Sequence, residues 1–380
     1  MLRAAGRVAL VALAAAALAS GCGDDVQQAN TTGAPSGSGA GSTAGAGGQG
    51  GSGADGGAGA QGGGAGAQGG GSGANGPMGT CFDEPPAGAE VAPPLPSYGG
   101  GTCPTLQPGT NTIATAGGDR EFILILPSDL SVDESLPLAF LWHWLGGDAS
   151  DFIDQGDVQA AADTYRFAAI APEAKGDVQF TWPMDALSSD ARAEEELTFF
   201  DDMLACAAEQ LNINPNCVAS TGVSAGALFT DAVLAGGRGQ HLSSIVSLSG
   251  GVGGPAIKPW SDSAHNMPAI VLWGGPTDNC LGLLSFETLS LTLEQELEDD
   301  GHFMLECIHN CGHSAPPFDV PAGQTPFSMM WEFMIDHPYW LNDGDSPYLN
   351  GLPPNMPDWC AVGPGSATPR EGACDNPSGC

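Results

Sequence analysis

The sequence predicts an α/β fold, a mostly parallel central sheet with helices on both faces. Three observations carry this. Short, nearly all-apolar runs recur between stretches of helical spacing, as strands covered on both faces require. One of those runs, Cys217-Val218-Ala219-Ser220-Thr221, enters Gly222-Val223-Ser224-Ala225-Gly226 and leaves as an alanine-rich helical run, giving the order strand, sharp turn, helix. Two further polar residues, Asp278 and His313, each stand just past a later predicted strand, at the sheet end where such folds collect their functional groups.

Residues 1–22 come first. Arg3 and Arg7 precede an apolar run from Val8 to Leu18, followed by Ala19-Ser20-Gly21-Cys22. The run is too short to span a bilayer and reads as an export signal. The small residues before Cys22 resemble a bacterial lipobox, although the usual aliphatic residue stands one place early, at Leu18, with Ala19 in its position. Lipidation of Cys22 would make the mature chain a cell-envelope lipoprotein, on the outer membrane or the cell surface; ordinary cleavage with release outside the cell is the alternative. Residues 23–80 are almost wholly Gly, Ala, Ser and Gln and cannot bury a core, so a disordered tether is expected. As a Gly/Ser coil its root-mean-square span is roughly 40–45 Å.

Residues 81–118, rich in Pro and Gly and holding Cys81 and Cys103, read as an irregular, stapled lead-in. The α/β domain is expected over 119–337. Within it, strands are predicted over 120–126, 138–143, 167–171, 217–221, 244–248, 269–273 and 303–308. Helices are predicted over 157–165, 194–211, 225–235, 283–298 and 327–335. The 194–211 segment places Leu197, Phe200, Leu204, Ala208 and Leu211 at helical spacing, with acids at its start where the helix dipole favours them. After Pro338 periodicity is lost, and 338–380 reads as a tail pinned by Cys360, Cys374 and Cys380, with no chemistry assigned.

Ser224 is the candidate nucleophile. With 58 glycines in the chain a chance Gly-x-Ser-x-Gly is a real alternative, yet the Gly/Ser tract holds none and Ser224 alone sits between a strand and a helix pattern. A free hydroxyl is a poor nucleophile near neutral pH and needs a histidine base oriented by a carboxylate, here in the chain order Ser, Asp, His. Asp278 ends the run Ala269-Ile270-Val271-Leu272-Trp273-Gly274-Gly275-Pro276-Thr277; a turn-capping role is its bland alternative, and Asp262 its competitor, at the wrong end of a strand. Of seven histidines, His313 alone combines a loop at that sheet end with a place after Ser224 and Asp278. His309 is the second candidate, or a packed strand-end histidine.

A developing oxyanion needs two backbone N–H groups. Ala225 would supply one. The loop His143-Trp144-Leu145-Gly146-Gly147 would supply the other, through Leu145. If acid and base loops meet, a Cys280–Cys311 bridge could hold them, and Cys206 could pair with Cys217; spacing alone does not fix these pairings. Zinc at Cys307, Cys311, His309 and His313 is a weaker reading than disulfides in an exported chain.

Jointly, the strand from Arg120 to Pro127, the His143–Gly147 loop, Gly222–Gly226, Trp273–Asp278, and Gly312-His313 with Pro316 resemble the extracellular polyhydroxybutyrate depolymerase and feruloyl esterase group of α/β-hydrolases, over about 119–337. The resemblance implies an α/β-hydrolase fold. It also implies a serine carboxylic ester hydrolase that acts on polyester or polysaccharide-linked esters through Ser224, Asp278 and His313, without metal or other cofactor. The group usually has glycine where this chain has Trp144, so Trp144 is expected to narrow the acyl pocket. Trp182 resembles an aromatic residue lining these clefts, with core burial as the alternative. A serine peptidase on the same scaffold, or a non-catalytic surface binding lipoprotein, are the other readings.

Charge restricts partners. The chain has 9 Lys+Arg against 44 Asp+Glu, net −35, and loss of Arg3 and Arg7 with the signal leaves −37. Nucleic acid and anionic lipid need basic patches, so neither is expected as a partner and a neutral ester substrate is. Membrane attachment is expected through Cys22 only.

Overall fold

A computed structural model of the chain describes residues 79–280, 282 and 284–374. The predicted export signal, the candidate lipidation site Cys22, all but the end of the expected tether, and Cys380 lie outside the described residues. Among the described residues no helix is long and apolar enough to cross a membrane.

The chain begins with an antiparallel pair, β1 (Gly109–Thr115) and β2 (Gly118–Ile125). It then alternates: β3 (Leu136–Trp142), α1 (Ala149–Gly156), α2 (Val158–Tyr165), β4 (Ala168–Pro172), α3 (Asp190–Gln210) and β5 (Ile213–Val223). After β5 comes α4 (Ala225–Phe229), continuous through a π-helical turn (Thr230–Leu234) with α5 (Ala235–Arg238). Next are β6 (Ser244–Leu248), β7 (Ala269–Trp273), and a short hairpin of β8 (Asn279–Cys280) and β9 (Leu284–Ser285). The remainder is α6 (Phe286–Asp300), β10 (Met304–Ile308), α7 (Ser328–Asp336) and β11 (Cys360–Val362).

These strands form one nine-stranded sheet in the order β1-β2-β4-β3-β5-β6-β7-β10-β11. From β4 to β10 every neighbouring pair is parallel, and the antiparallel pairings are confined to the two edges. The two-residue period of a strand explains how both faces fill. Leu138, Phe140 and Trp142 of β3 pack with Leu197, Phe200 and Leu204 of α3 and Leu293 of α6, whereas Ala139 and Leu141 join Phe152, Val158, Ala162, Met330 and Phe333 of α1, α2 and α7 on the other side. The predicted helices on both faces are therefore present.

The differences have local causes. β1 lies in the stretch read as irregular: its Asn111 and Ile113 turn inward while Thr110, Thr112 and Ala114, alternating with them, face solvent, a half-polar edge pattern that Pro and Gly nearby disguise. Between β3 and α2 the chain forms the unpredicted α1, opened by a capping box in which Asp148 accepts from the Asp151 N–H and Asp151 accepts from the Asp148 N–H. β11 belongs to the stretch read as an aperiodic tail; it pairs antiparallel with β10 and brings Cys360 opposite Cys307.

Both proposed bridges are corrected. Cys81 pairs with Cys217, Cys103 with Cys206, Cys307 with Cys360 and Cys311 with Cys374. The first two staple the lead-in to β5 and α3, and the last two bind the tail to β10 and to the loop after it. Cys307 and Cys311 are thus committed to sulfur partners, which removes them from the zinc reading.

Candidate active site

The sharp turn after β5 is forced by its glycines. A Cβ at Gly222 would overlap the backbone of Gly226, and one at Gly226 would overlap the Trp142 carbonyl at the end of β3. Only bare backbone lets α4 start this close to the sheet. Between them Ser224 has φ +53° and ψ −115°, a strained conformation that a serine keeps only where its surroundings impose it. Its N–H donates to the Leu248 carbonyl at 2.9 Å and its carbonyl accepts from Leu228 N–H at 2.9 Å, fixing the residue from both sides. The result holds the side chain at the edge of solvent, 9% exposed.

The acid and base loops meet through backbone rather than sulfur. Gly312 N–H donates to the Gly274 carbonyl at 3.0 Å, and a Cβ at Gly274 would overlap the Gly312 carbonyl. This contact, with the Cys311–Cys374 bridge, does the work assigned to a Cys280–Cys311 pair. Across it His313 Nδ1 lies 2.8 Å from Asp278 Oδ1, and His313 Nε2 lies 2.9 Å from Ser224 Oγ. An ionised carboxylate only accepts, so Nδ1 carries the proton and Nε2 presents its lone pair to the Ser224 hydroxyl. The imidazole stacks on Phe286, ring centroids 4.2 Å apart.

Asp278 is fully buried, and burial alone would raise its pKa. Hydrogen bonds from His313, from Gly274 N–H at 2.7 Å and from Ser249 Oγ at 2.7 Å outweigh burial and hold it below the usual carboxylate range. It is therefore ionised at neutral pH, as an orienting acid must be.

The alternatives resolve by burial. His309 is sealed in the strand end, where desolvation pulls its pKa down to about 4; its Nδ1 accepts from Cys311 N–H, so it is a neutral structural residue. His337 lies between the Phe333 carbonyl and Ser346 Oγ, each 2.7 Å away, remote from this sheet end.

The loop after β3 is a tight turn. Gly147 N–H donates to the Trp144 carbonyl at 3.2 Å, and Gly146, at φ +83°, takes the position that favours glycine. Leu145 occupies the other central position, and its N–H is not used by the turn's own hydrogen bond. Ala225, first residue of α4, likewise has no intrahelical carbonyl for its N–H. His143 Nδ1–H donates back to the Trp144 carbonyl at 3.0 Å, and burial lowers its pKa, keeping the ring neutral. The Trp144 indole is half-buried on Gly147, where a Cβ would come within 2.6 Å of it, and packs 6.3 Å from the Phe152 ring.

The cleft-lining role expected of Trp182 is corrected. Its side chain is 0% exposed, packed edge-on to Trp142 at 5.1 Å and against Phe229 at 5.7 Å, so it cannot touch a substrate. Its Nε1–H instead donates to the His143 carbonyl at 2.8 Å and anchors the loop from beneath. Sequence reasoning missed this role and that of Ser249; an indole beside Pro183 and a serine among glycines carry no signal that separates them from ordinary core and loop.

A sheet of this order, with the serine elbow after β5, the acid after β7 and the histidine after β10, decides the architecture. The fold is that of the α/β-hydrolases. Solved structures agree: the chain aligns with native pOPH at TM-score 0.56 and 16% identity over 69% of this chain and 97% of that one. Native sOPH gives TM-score 0.55 and 16% identity over 70% and 98%. Over 163 residues the chain is 29% identical to feruloyl esterase D of Neurospora crassa, which is 42% of this chain and 56% of that protein. The chain thus spans little more than half the length of this curated relative. No family model matches the chain.

Proposed function

We propose that the protein is an exported serine carboxylic ester hydrolase. The observation that carries this is the unbroken hydrogen-bonded row Ser224–His313–Asp278, which reaches the edge of solvent at the serine and is sealed at the acid. His313 Nε2 takes the proton of the Ser224 hydroxyl as Oγ attacks the ester carbonyl, and Asp278 stabilises the imidazolium that forms. The tetrahedral oxyanion is held by the N–H groups of Ala225 and Leu145. On collapse the C–O bond to the alcohol breaks, and the alcohol leaves with the proton from His313. Water then gives a proton to His313 and attacks the acyl-enzyme, and the carboxylic acid leaves as Ser224 is reprotonated.

The likeness to feruloyl esterase D favours a phenolic acyl group, with polyester and acetyl esters as the nearest alternatives. Trp144 is assigned to the acyl side of the cleft. Four disulfides among the described residues support an oxidising compartment, and lipidation of Cys22 would keep the enzyme on the cell envelope.

Hydrolysis of methyl ferulate, p-nitrophenyl esters of increasing chain length and a hydroxybutyrate polymer, each by the parent and by Ser224→Ala, tests the proposal. Turnover of at least one ester that disappears in the variant is expected. Equal rates for parent and variant would refute it.

A further inference from the structure

Strand β6 lies between the strand that leads to Ser224 and the strand that leads to Asp278, and the residue just past its end has no part in the mechanism above. Ser249 is buried and sits at φ +50°, a left-handed conformation that a non-glycine residue holds only under constraint. The constraints are visible. Ser249 N–H donates to the Leu272 carbonyl of β7 at 2.7 Å, and Ser290 Oγ of α6 donates to the Gly250 carbonyl at 3.3 Å. Asp231, in the π-helical turn after the nucleophile, accepts from both Ser247 Oγ at 2.6 Å and Gly251 N–H at 2.7 Å. A Cβ at Gly250 would overlap Ser247 Oγ and Asp231 Oδ2, and one at Gly251 would overlap the backbone of Leu289. The loop is wedged between the nucleophile helix and α6 and has one way to lie.

In that one way, Ser249 Oγ–H donates to Asp278 Oδ2 at 2.7 Å, on the oxygen that His313 does not use. Without it, Oδ2 would be held by Gly274 N–H alone, and the only other contact on the carboxylate would be the His313 ring that it has to orient. We propose that Ser249 is a positioning residue for the Ser224–His313–Asp278 row, its hydroxyl fixing the plane of the Asp278 carboxylate and drawing charge from it. This rests on the hydrolase reading. The other charged or titratable groups nearby are His309 from the end of β10, neutral through burial, Arg370 from the tail beyond it, and Asp231 behind the glycines.

Ser249→Ala keeps the Cβ and the backbone strain and removes only the hydroxyl. On p-nitrophenyl butyrate, kcat is expected to fall by about 10- to 100-fold with KM within about twofold, as for a weakened acid–base contribution. The acid limb of kcat/KM should move up by roughly half a pH unit, because a carboxylate relieved of a donor holds the imidazolium more strongly. Ser249→Gly separates the hydroxyl from strain: it relaxes the backbone and should be equally slow. Parent-like kcat and an unmoved acid limb in Ser249→Ala, or recovery of kcat in Ser249→Gly, would overturn the proposal. An active parent with an inactive Ser224→Ala confines such a failure to Ser249, whereas a parent that hydrolyses no ester removes both readings.

Discussion

Replacing Asp278 by asparagine should cost far more than the loss of one charge suggests. Oδ2 of Asp278 faces two donors, Ser249 Oγ–H and Gly274 N–H, and Oδ1 faces the N–H of His313. An asparagine at 278 satisfies the two fixed donors by putting its carbonyl oxygen there, which turns its NH2 toward His313 Nδ1. The imidazole must then accept at Nδ1 and carry its proton on Nε2, against the Ser224 hydroxyl. In that tautomer it cannot take the proton of the nucleophile. The same tautomer trap in serine proteases lowers kcat by about 10⁴-fold, equivalent to about 5 kcal/mol of transition-state stabilisation. Side-chain volume is unchanged, so the thermal midpoint should move little. Steady-state hydrolysis of a p-nitrophenyl ester at pH 7 measures the loss directly. A variant within about tenfold of the parent would refute the inference that Asp278 sets the tautomer of His313.

Other perturbations separate structural supports from chemistry. Trp182→Phe keeps the ring contacts with Trp142 and Phe229 but leaves the buried His143 carbonyl without its donor, a loss of about 1–3 kcal/mol; denaturant unfolding should show it, and kcat should fall as the 143–147 loop loosens. Cys374→Ser opens the Cys311–Cys374 bridge, whose 63-residue separation corresponds to roughly 4 kcal/mol in the chain-entropy account. Because Arg370 N–H also donates to the Ile308 carbonyl at 2.9 Å and Asn310 to the Gly372 carbonyl at 2.7 Å, the His313 loop should stay partly ordered and activity fall without vanishing. Asp231 is pushed up to about 7 by burial, against the lowering effect of its bonds from Ser247 and Gly251. The folded state therefore binds this proton more tightly than the unfolded state, whose aspartate titrates near about 4. Stability falls as pH rises between those values, so Asp231→Asn should raise the thermal midpoint relative to the parent at pH 8 and much less at pH 5.

The row Ser224, Asp278, His313 was legible because each residue ends a strand-like run, and parallel strands bring their carboxyl ends to one rim whatever the intervening length. The elbow was legible because two glycines around a serine have a steric reason that any close helix–strand approach would impose. Trp182 was not, since an indole next to proline looks the same whether it lines a cleft or supports a loop from below. The cysteine pairing is hidden in the sequence for a related reason. Cys280 and Cys311 flank the acid and base symmetrically in the chain, but Gly274 and Gly312 already bring those loops into contact, leaving Cys311 to hold the tail. Strand β1 and helix α1 are not legible in the sequence because a half-polar edge strand and a two-turn helix carry too few apolar residues to display a period.

In the proposed reaction Ser224 becomes acylated during turnover. Rapid acid quenching of the enzyme with p-nitrophenyl butyrate, followed by intact-mass and peptide mass spectrometry, would reveal the acyl-enzyme itself. A transient gain of one butyryl group is expected, mapped to the peptide containing Ser224 and absent from Ser224→Ala. Sustained hydrolysis with no acylated species at any time, and an undiminished rate in Ser224→Ala, would contradict it.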